Sequence, residues 1–420
     1  MENKSSSSGS STPLEQLRAA CPLVNRQIYL ANCSQGPQSL PVRSAIEAFL
    51  DQWERLGMHW NGWIAEVEQA RAAFAALIGA EIEDIAVGTS VSQLTASVAS
   101  ALMQPGAQRR RILSSVVEFP GVAQAWHAAT RAGDGWTLEV ITGEEREAVP
   151  VARLAAERAL LPEPFTSPAV VIGAEQVIPA LNEETALVSL PLVSYTNGAL
   201  LDVQQVVEAA HAQDTLVFLD AYQAVGSVPI NVQESKVDFL VAGALKYLLS
   251  VAGIAFLYVR PALRERFTPS ITGWFGRGNP FDFNPVGLEY ASAASRFDLG
   301  TPPLVNAFAA RAGMELILQT GVEGIKSHLD QLTERALHLA ADYQLTIFGP
   351  DTPARKGAIL AVDAGSVDDA HTLEGKLRQR GVIVSARGNA LRLAPHGFTQ
   401  EQELEQALAV VAELLGAGAA

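Results

Sequence analysis

Residues 220–259 read DAYQAVGSVPINVQESKVDFLVAGALKYLLSVAGIAFLYV, and the second half of that stretch decides the architecture. Residues 239–259 are apolar enough to resemble a membrane span. Lys246 sits near their middle, and a lysine at bilayer depth costs roughly 3 kcal/mol on insertion scales. Gly243, Ser250 and Gly253 interrupt the run, and Asp238 precedes it. The pattern therefore predicts a strand, a loop carrying Lys246 and a second strand, inside a large core with no membrane contact. Just upstream, TLVFLD (215–220) is a short apolar run ending on the carboxylate of Asp220. Open α/β sheets place ligand groups at such strand ends.

Working outward, strand-like and helix-like stretches alternate from roughly 40 to 260. Helical spacing of apolar positions covers 41–56, 64–78 and 203–213. DIAVG (84–88), RILSSVV (111–117), AVVIG (169–173), VSLPLVS (188–194) and IAFLYV (254–259) read as strands. Such alternation implies a mostly parallel sheet covered on both faces. A second unit begins near 305, with helices at 305–318 and 321–343, strands at 345–348, 357–362, 382–385 and 391–393, and a last helix at about 400–415. The reading divides the chain into a flexible tail and lead-in (1–26), a large domain (27–304) and a small α+β domain (305–420). Between them, 270–303 is rich in Gly, Pro and aromatics, and a segment of that kind is more often functional than idle.

The chain has 420 residues, 48% hydrophobic and 18% charged, the balance of a packed globular protein. Its 30 Lys plus Arg stand against 45 Asp plus Glu, a net charge of −15, which disfavours nucleic acid and anionic lipid as partners. Only Cys21 and Cys33 occur, with no secretory signal, so the expected location is cytoplasmic without a disulfide framework. No Cys/His spacing of a zinc site is present, and no metal is expected.

Lys246 in an apolar setting should have a lowered pKa and be nucleophilic near neutral pH. Asp220 is followed three residues later by Gln223. An amine, a carboxylate and an amide in this order suit pyridoxal 5′-phosphate (PLP). That cofactor needs a lysine for its imine, an acid beside the pyridine nitrogen and a donor near the phenolic oxygen. Each feature has a plain structural alternative: a lysine at the edge of the core, or an aspartate capping the next helix.

The stretch quoted first resembles the core of class V aminotransferase-type PLP enzymes, the superfamily of kynureninases, cysteine desulfurases, cystine lyases and isopenicillin epimerase-like enzymes. The resemblance runs over almost everything beyond residue 27. It implies the α/β fold of type I: a large domain with a seven-stranded, mostly parallel sheet, and a small α+β C-terminal domain. It also implies a homodimer with shared active sites.

The same resemblance assigns residues in chain order. IYLANCSQGP (28–37) resembles the turn that reaches the substrate, giving Asn32 and Ser34. His59 resembles a substrate-side histidine. GTSVSQLT (88–95) resembles the phosphate-cradling turn, giving Thr89 and Ser90; a helix N-terminus there favours an anion. EFPG (118–121) resembles the kynureninase-like strand end whose Phe, here Phe119, stacks on the ring. GWFG (273–276) and FDLGTPP (297–303) resemble cofactor-site segments, giving Trp274, and Thr301 for the phosphate of the neighbouring subunit. ALRLAPHGF (390–398) resembles the segment whose Arg, here Arg392, grips the substrate carboxylate, while Arg387 reads as a surface charge.

The implied reaction starts with PLP held as a Schiff base on Lys246. The amine of a small amino-acid substrate displaces the lysine, and a quinonoid forms while Asp220 keeps the ring nitrogen charged. Neither cysteine lies in the C-terminal region where a desulfurase carries its persulfide loop. The first expectation is a lyase acting at Cβ, with a carbon–sulfur or similar leaving group. The alternatives are an aminotransferase and a non-catalytic PLP-fold binding protein.

Overall fold

The structure is a computed structural model, and it describes residues 11–143, 149–150 and 167–417. Its centre is a sheet of strands β2 (Ile85–Gly88), β3 (Arg111–Ser115), β4 (Thr137–Ile141), β6 (Thr185–Pro191), β7 (Leu216–Asp220), β8 (Phe239–Gly243) and β9 (Ala255–Val259). They lie in the order β2-β9-β8-β7-β6-β3-β4, and a two-residue strand β5 (Val149–Pro150) adds an eighth member beside β4. All neighbours from β8 to β4 are parallel; β9 runs antiparallel to both β8 and β2. This is the mostly parallel seven-stranded sheet of fold type I, with one short edge strand more.

The strands are apolar on both faces because both faces are covered. Val217, Leu219, Leu240, Ala242 and Phe256 belong to one core. Leu216, Phe218, Phe239, Val241 and Leu257 belong to the other. Alternate residues of a strand point to opposite faces, so Asp220 projects on the side of Phe218.

A four-stranded antiparallel sheet forms the smaller unit, in the order β10 (Ile347–Phe348), β11 (Leu360–Asp363), β14 (Ala390–Leu393) and β13 (Ser385–Arg387). Helices Val322–Asp342, Val367–Gln379 and Glu401–Leu415 accompany it. Strand β1 (Ile28–Tyr29) pairs with β12 (Val382–Ile383), so the N-terminal segment joins this unit rather than the large one.

Several expectations change. Residues 13–26 are not a loose lead-in. Pro13–Ala19 is a helix capped by Thr12, with Leu17 and Cys21 fully buried, and Arg18 is paired with Glu403 at 2.8 Å. The helix Leu304–Thr320, placed by the sequence in the second unit, packs against Leu40–Leu56 and Trp60–Ile78 of the first. AVVIG (169–173) is not a strand: the Asn197 side-chain amide binds the carbonyls of Pro168 and Val170, acceptors that a ladder would need. Strand β4 went unread because Thr137 and Glu139 break its apolar pattern; Glu139 instead pairs with Arg111 of β3. Residues 239–259 form two strands and a loop as expected, and among the described residues no helix is long and apolar enough to cross a membrane.

Candidate active site

Lys246 lies on the loop between β8 and β9, 8% exposed, and the loop is fixed from three sides. Gly36 N–H donates to Leu245 O at 3.0 Å, and a Cβ on Gly36 would stand 2.5 Å from Lys246 O. Gly226, at φ +91°, lets the turn after Gln223 approach Tyr247 O. His396, fully buried, donates from Nε2 to Tyr247 O at 3.0 Å, while its Nδ1 accepts from Gly397 N–H. Burial pushes the His396 pKa down to about 4, so the ring stays neutral and this bond to the lysine loop persists.

The lysine ammonium faces two rings: Nζ is 4.4 Å from the Tyr222 centroid and 5.3 Å from that of Phe119. Burial is the main force lowering the Lys246 pKa, to about 8; Asp220 opposes it, and the guanidinium charges of Arg392 and Arg387 add to it. The uptake of pyridoxal by apoprotein should therefore rise with pH and level off near pH 8, whereas an exposed lysine would level near 10.5. A pH–rate profile without a break below 10 would show that burial does not govern this amine.

Asp220 ends β7, 5% exposed, with Oδ1 accepting Tyr222 N–H at 2.8 Å. A second carboxylate, Glu118, shares its surroundings. It is 2% exposed and accepts from Phe119 N–H at 2.9 Å and from Ser189 Oγ at 3.2 Å, while Trp126 Nε1 donates to Ser189. Burial, and then the charge of Asp220, hold the Glu118 pKa well above the usual carboxylate range. Asp220 is also raised by burial, but Tyr222 N–H and the Lys246 charge pull it back. Burial thus favours the protonated form of both carboxyls, more strongly for Glu118, and Asp220 is the one drawn back towards its charged form by Lys246.

Arg392, on β14 and 1% exposed, completes the cluster. Nη1 donates to Tyr195 O at 2.7 Å, and Nη2 to Ser34 Oγ at 3.0 Å and Ser385 Oγ at 2.7 Å; Nε has no partner. No carboxylate of the described residues pairs with it. Asn32 donates to Ala394 O and Gln223 to Cys33 O, leaving Asn32 Oδ1 and Gln223 Oε1 buried without partners.

Thr89 and Ser90 are exposed at the start of helix Val91–Leu102. Ser90 caps Gln93 N–H, while Thr89 turns both its N–H (2.7 Å) and its hydroxyl (2.5 Å) to Gln93 Oε1. That amide oxygen marks a place where convergent donors want an acceptor, as a phosphate oxygen would be. An amine, an acid on the strand end, a half-exposed Phe119 ring, unpaired buried polar atoms and a helix N-terminus fit PLP in kind and placement.

A family model of class V aminotransferases matches residues 148–402. The chain belongs to the class V aminotransferase family. It is 32% identical to an uncharacterized aminotransferase, YcbU, of Bacillus subtilis (strain 168), over 95% of this chain and 97% of that one. It is 27% identical to the kynureninase of Geobacillus thermodenitrificans (strain NG80-2), over 96% and 92%. Among solved structures, the apo cysteine desulfurase of Thermococcus onnurineus NA1 shares the fold at TM-score 0.77, with 21% identity over 97% and 99% of the chains. This class V enzyme is PLP-dependent.

The structure brings Lys246, Asp220, Phe119, Gln223, Asn32, Ser34 and Arg392 into one neighbourhood. His59 stands apart at the start of helix Trp60–Ile78, its ring over Gly62. Trp274 packs with Phe275, Phe281 and Phe283. Thr301 is exposed. Its turn is tied down by Asp298, which accepts from Val87 N–H and Arg71, and Phe275 N–H donates to Leu299 O. Glu118, Tyr222, Tyr195 and Ser385 were missed. Glu118 and Tyr222 stood inside motifs already quoted, and only the fold shows what they face.

Proposed function

We propose that this enzyme is a lyase that cleaves a bond at Cβ of a small amino acid, with a carbon–sulfur or similar leaving group. The observation that carries this reading is Phe119. The kynureninase-like EFPG turn presents its ring, 39% exposed, to Lys246. The kynureninase relatives agree with it, and both cysteines are buried and in the N-terminal part of the chain.

When bound, PLP supplies the sink for electrons released at the substrate Cα. The chain's residues do the rest. Arg392 binds the α-carboxylate in its fixed fork. Lys246, neutral in part near pH 8, takes the Cα proton. Asp220 holds negative charge beside the ring nitrogen, and Phe119 gives the ring a flat apolar neighbour. Thr89, Ser90 and the helix N-terminus would receive the phosphate; Gln223, expected as a donor to the phenolic oxygen, has its amide N–H on Cys33 O and would have to turn its amide over to serve there.

A homodimer completes the site in this reading. Trp53, Leu56 and Met58 near one helix end, and Phe283, Val286 and Leu288 on the 280–288 loop, are all more than half exposed. Such a surface asks for a cover. Trp274 packs against Phe281 and Phe283 of that loop and His59 follows Met58, while Thr301, exposed on its own turn, would serve the partner's phosphate. The enzyme works in the cytoplasm on a free amino acid.

The test is turnover of an amino-acid panel by holoenzyme without a keto acid. Many turnovers per site, releasing the leaving group, and a pyridoxyl label on Lys246 after borohydride are expected. The name of the Bacillus subtilis relative favours aminotransfer as the second reading; activity that stops after one turnover until a keto acid is added would replace the lyase with it.

A further inference from the structure

The strand pairing of the small sheet places a second arginine on the active-site face. Ser385 lies opposite Arg392, and Arg387 opposite Ala390, in the β13–β14 hairpin. Residues two apart on a strand share a face, so Arg387 and Ser385 project together. Ser385 looks into the site: its hydroxyl touches Arg392 Nη2 and Ser34 Oγ, each at 2.7 Å. The hairpin tip beyond Arg387 is pinned. Gly388 turns at φ +56°, Asn389 Nδ2 donates to Asp363 Oδ1 at 3.0 Å, and Ala364 N–H donates to Asn389 O at 2.8 Å.

Arg387 is exposed, and among the described residues no hydrogen bond or ion pair holds its guanidinium. Other arginines of the described residues also lack a carboxylate partner, Arg296 among them, but Arg387 is the one that shares a strand face with Ser385 of the site. Arg18, Arg71, Arg111, Arg311, Arg335 and Arg380 all have carboxylate partners. The two arginines whose charges reach Lys246 have none. Arg392 is buried and held rigidly by three acceptors, which suits the invariant part of an amino acid. Arg387 is long, free and at the rim, which suits a variable part.

We propose that Arg387 is a second anion-binding residue of the site, and that the substrate is an amino acid whose side chain ends in an anionic group. The inference rests on the reading of Arg392 as the α-carboxylate anchor. Two kinds of molecule carry this chemistry: a short acidic side chain ending in carboxylate or sulfinate, and a disulfide-linked amino acid whose far half brings its own carboxylate.

The experiment titrates holoenzyme with L-aspartate, L-cysteine sulfinate, L-cystine and L-alanine, reading the dissociation constant from cofactor absorbance and by calorimetry. Wild type should bind at least one distal-anion ligand about 10-fold or more tighter than L-alanine, and Arg387→Gln should weaken that ligand by about 10-fold. L-alanine, which has no distal anion, should change by less than about two-fold, and thermal stability should hold because the side chain is exposed. Which acidic ligand loses most tells the short side chain from the disulfide. Equal weakening of all ligands, or none, overturns the role of Arg387 while leaving the amino-acid site intact. If no amino acid perturbs the cofactor of wild type, the lyase reading and this inference fall together.

Discussion

Replacing Asp220 by Asn is expected to lower turnover by about 10²- to 10³-fold while most of the cofactor stays bound, the loss typical of removing one strong electrostatic group from an enclosed site. The argument begins with the strand. β7 is buried along its whole length, so its last residue reaches the sheet edge with little water around it. The Tyr222 N–H bond fixes one oxygen and leaves the other free to face a ring nitrogen. An amide in that place keeps the shape and the hydrogen bond but not the charge. Glu118 sharpens the test. Because burial and the Asp220 charge both favour its protonated form, Glu118→Gln should remove little charge and change turnover by less than about three-fold. The measurements are kcat and the PLP released by alkali from each variant. If Glu118→Gln is as damaging as Asp220→Asn, the charge resides on the other carboxyl.

Asp220 and Lys246 were legible because each is a polar residue closing or interrupting an apolar run, and the sheet that makes those runs apolar also makes the exceptions functional. Glu118 was not legible in the same way. Its setting exists only because β3 and β6 are neighbours, which brings Ser189 to Glu118 and Trp126 to Ser189 across a long sequence gap. Strand β4 escaped for a related reason: Glu139 looks like a loop residue until Arg111 on the next strand pairs with it. The N-terminal lead-in looked idle because seven residues of helix carry too little pattern, and what holds it lies far along the chain: the core that buries Leu17 and Cys21, and Glu403, which pairs with Arg18. Arg392 was assigned through family resemblance alone. The structure adds the physical ground, a buried guanidinium with hydrogen bonds but no counter-charge.

That missing counter-charge gives the second large effect: Arg392→Lys should weaken binding of the amino-acid substrate by about 10²-fold, near 2.7 kcal/mol, with PLP retained. A buried charge without a partner costs several kcal/mol, so a protein keeps one only where something else supplies the opposite sign. Tyr195 O, Ser34 and Ser385 hold the guanidinium in one plane and leave Nε unspent. Ser34 and Ser385 also bond each other, at 2.7 Å, which uses one of their two hydroxyl protons and leaves the other to donate. A carboxylate arriving here meets a planar fork and a hydroxyl already oriented. Lysine keeps the charge but is a single flexible point, and it cannot satisfy all three acceptors and the substrate together. The substrate dissociation constant, followed by cofactor absorbance, and the cofactor content of the purified variant separate the two functions. A lysine variant that binds substrate within about three-fold of wild type would mean that the α-carboxylate is held elsewhere, since a bidentate site does not tolerate that exchange.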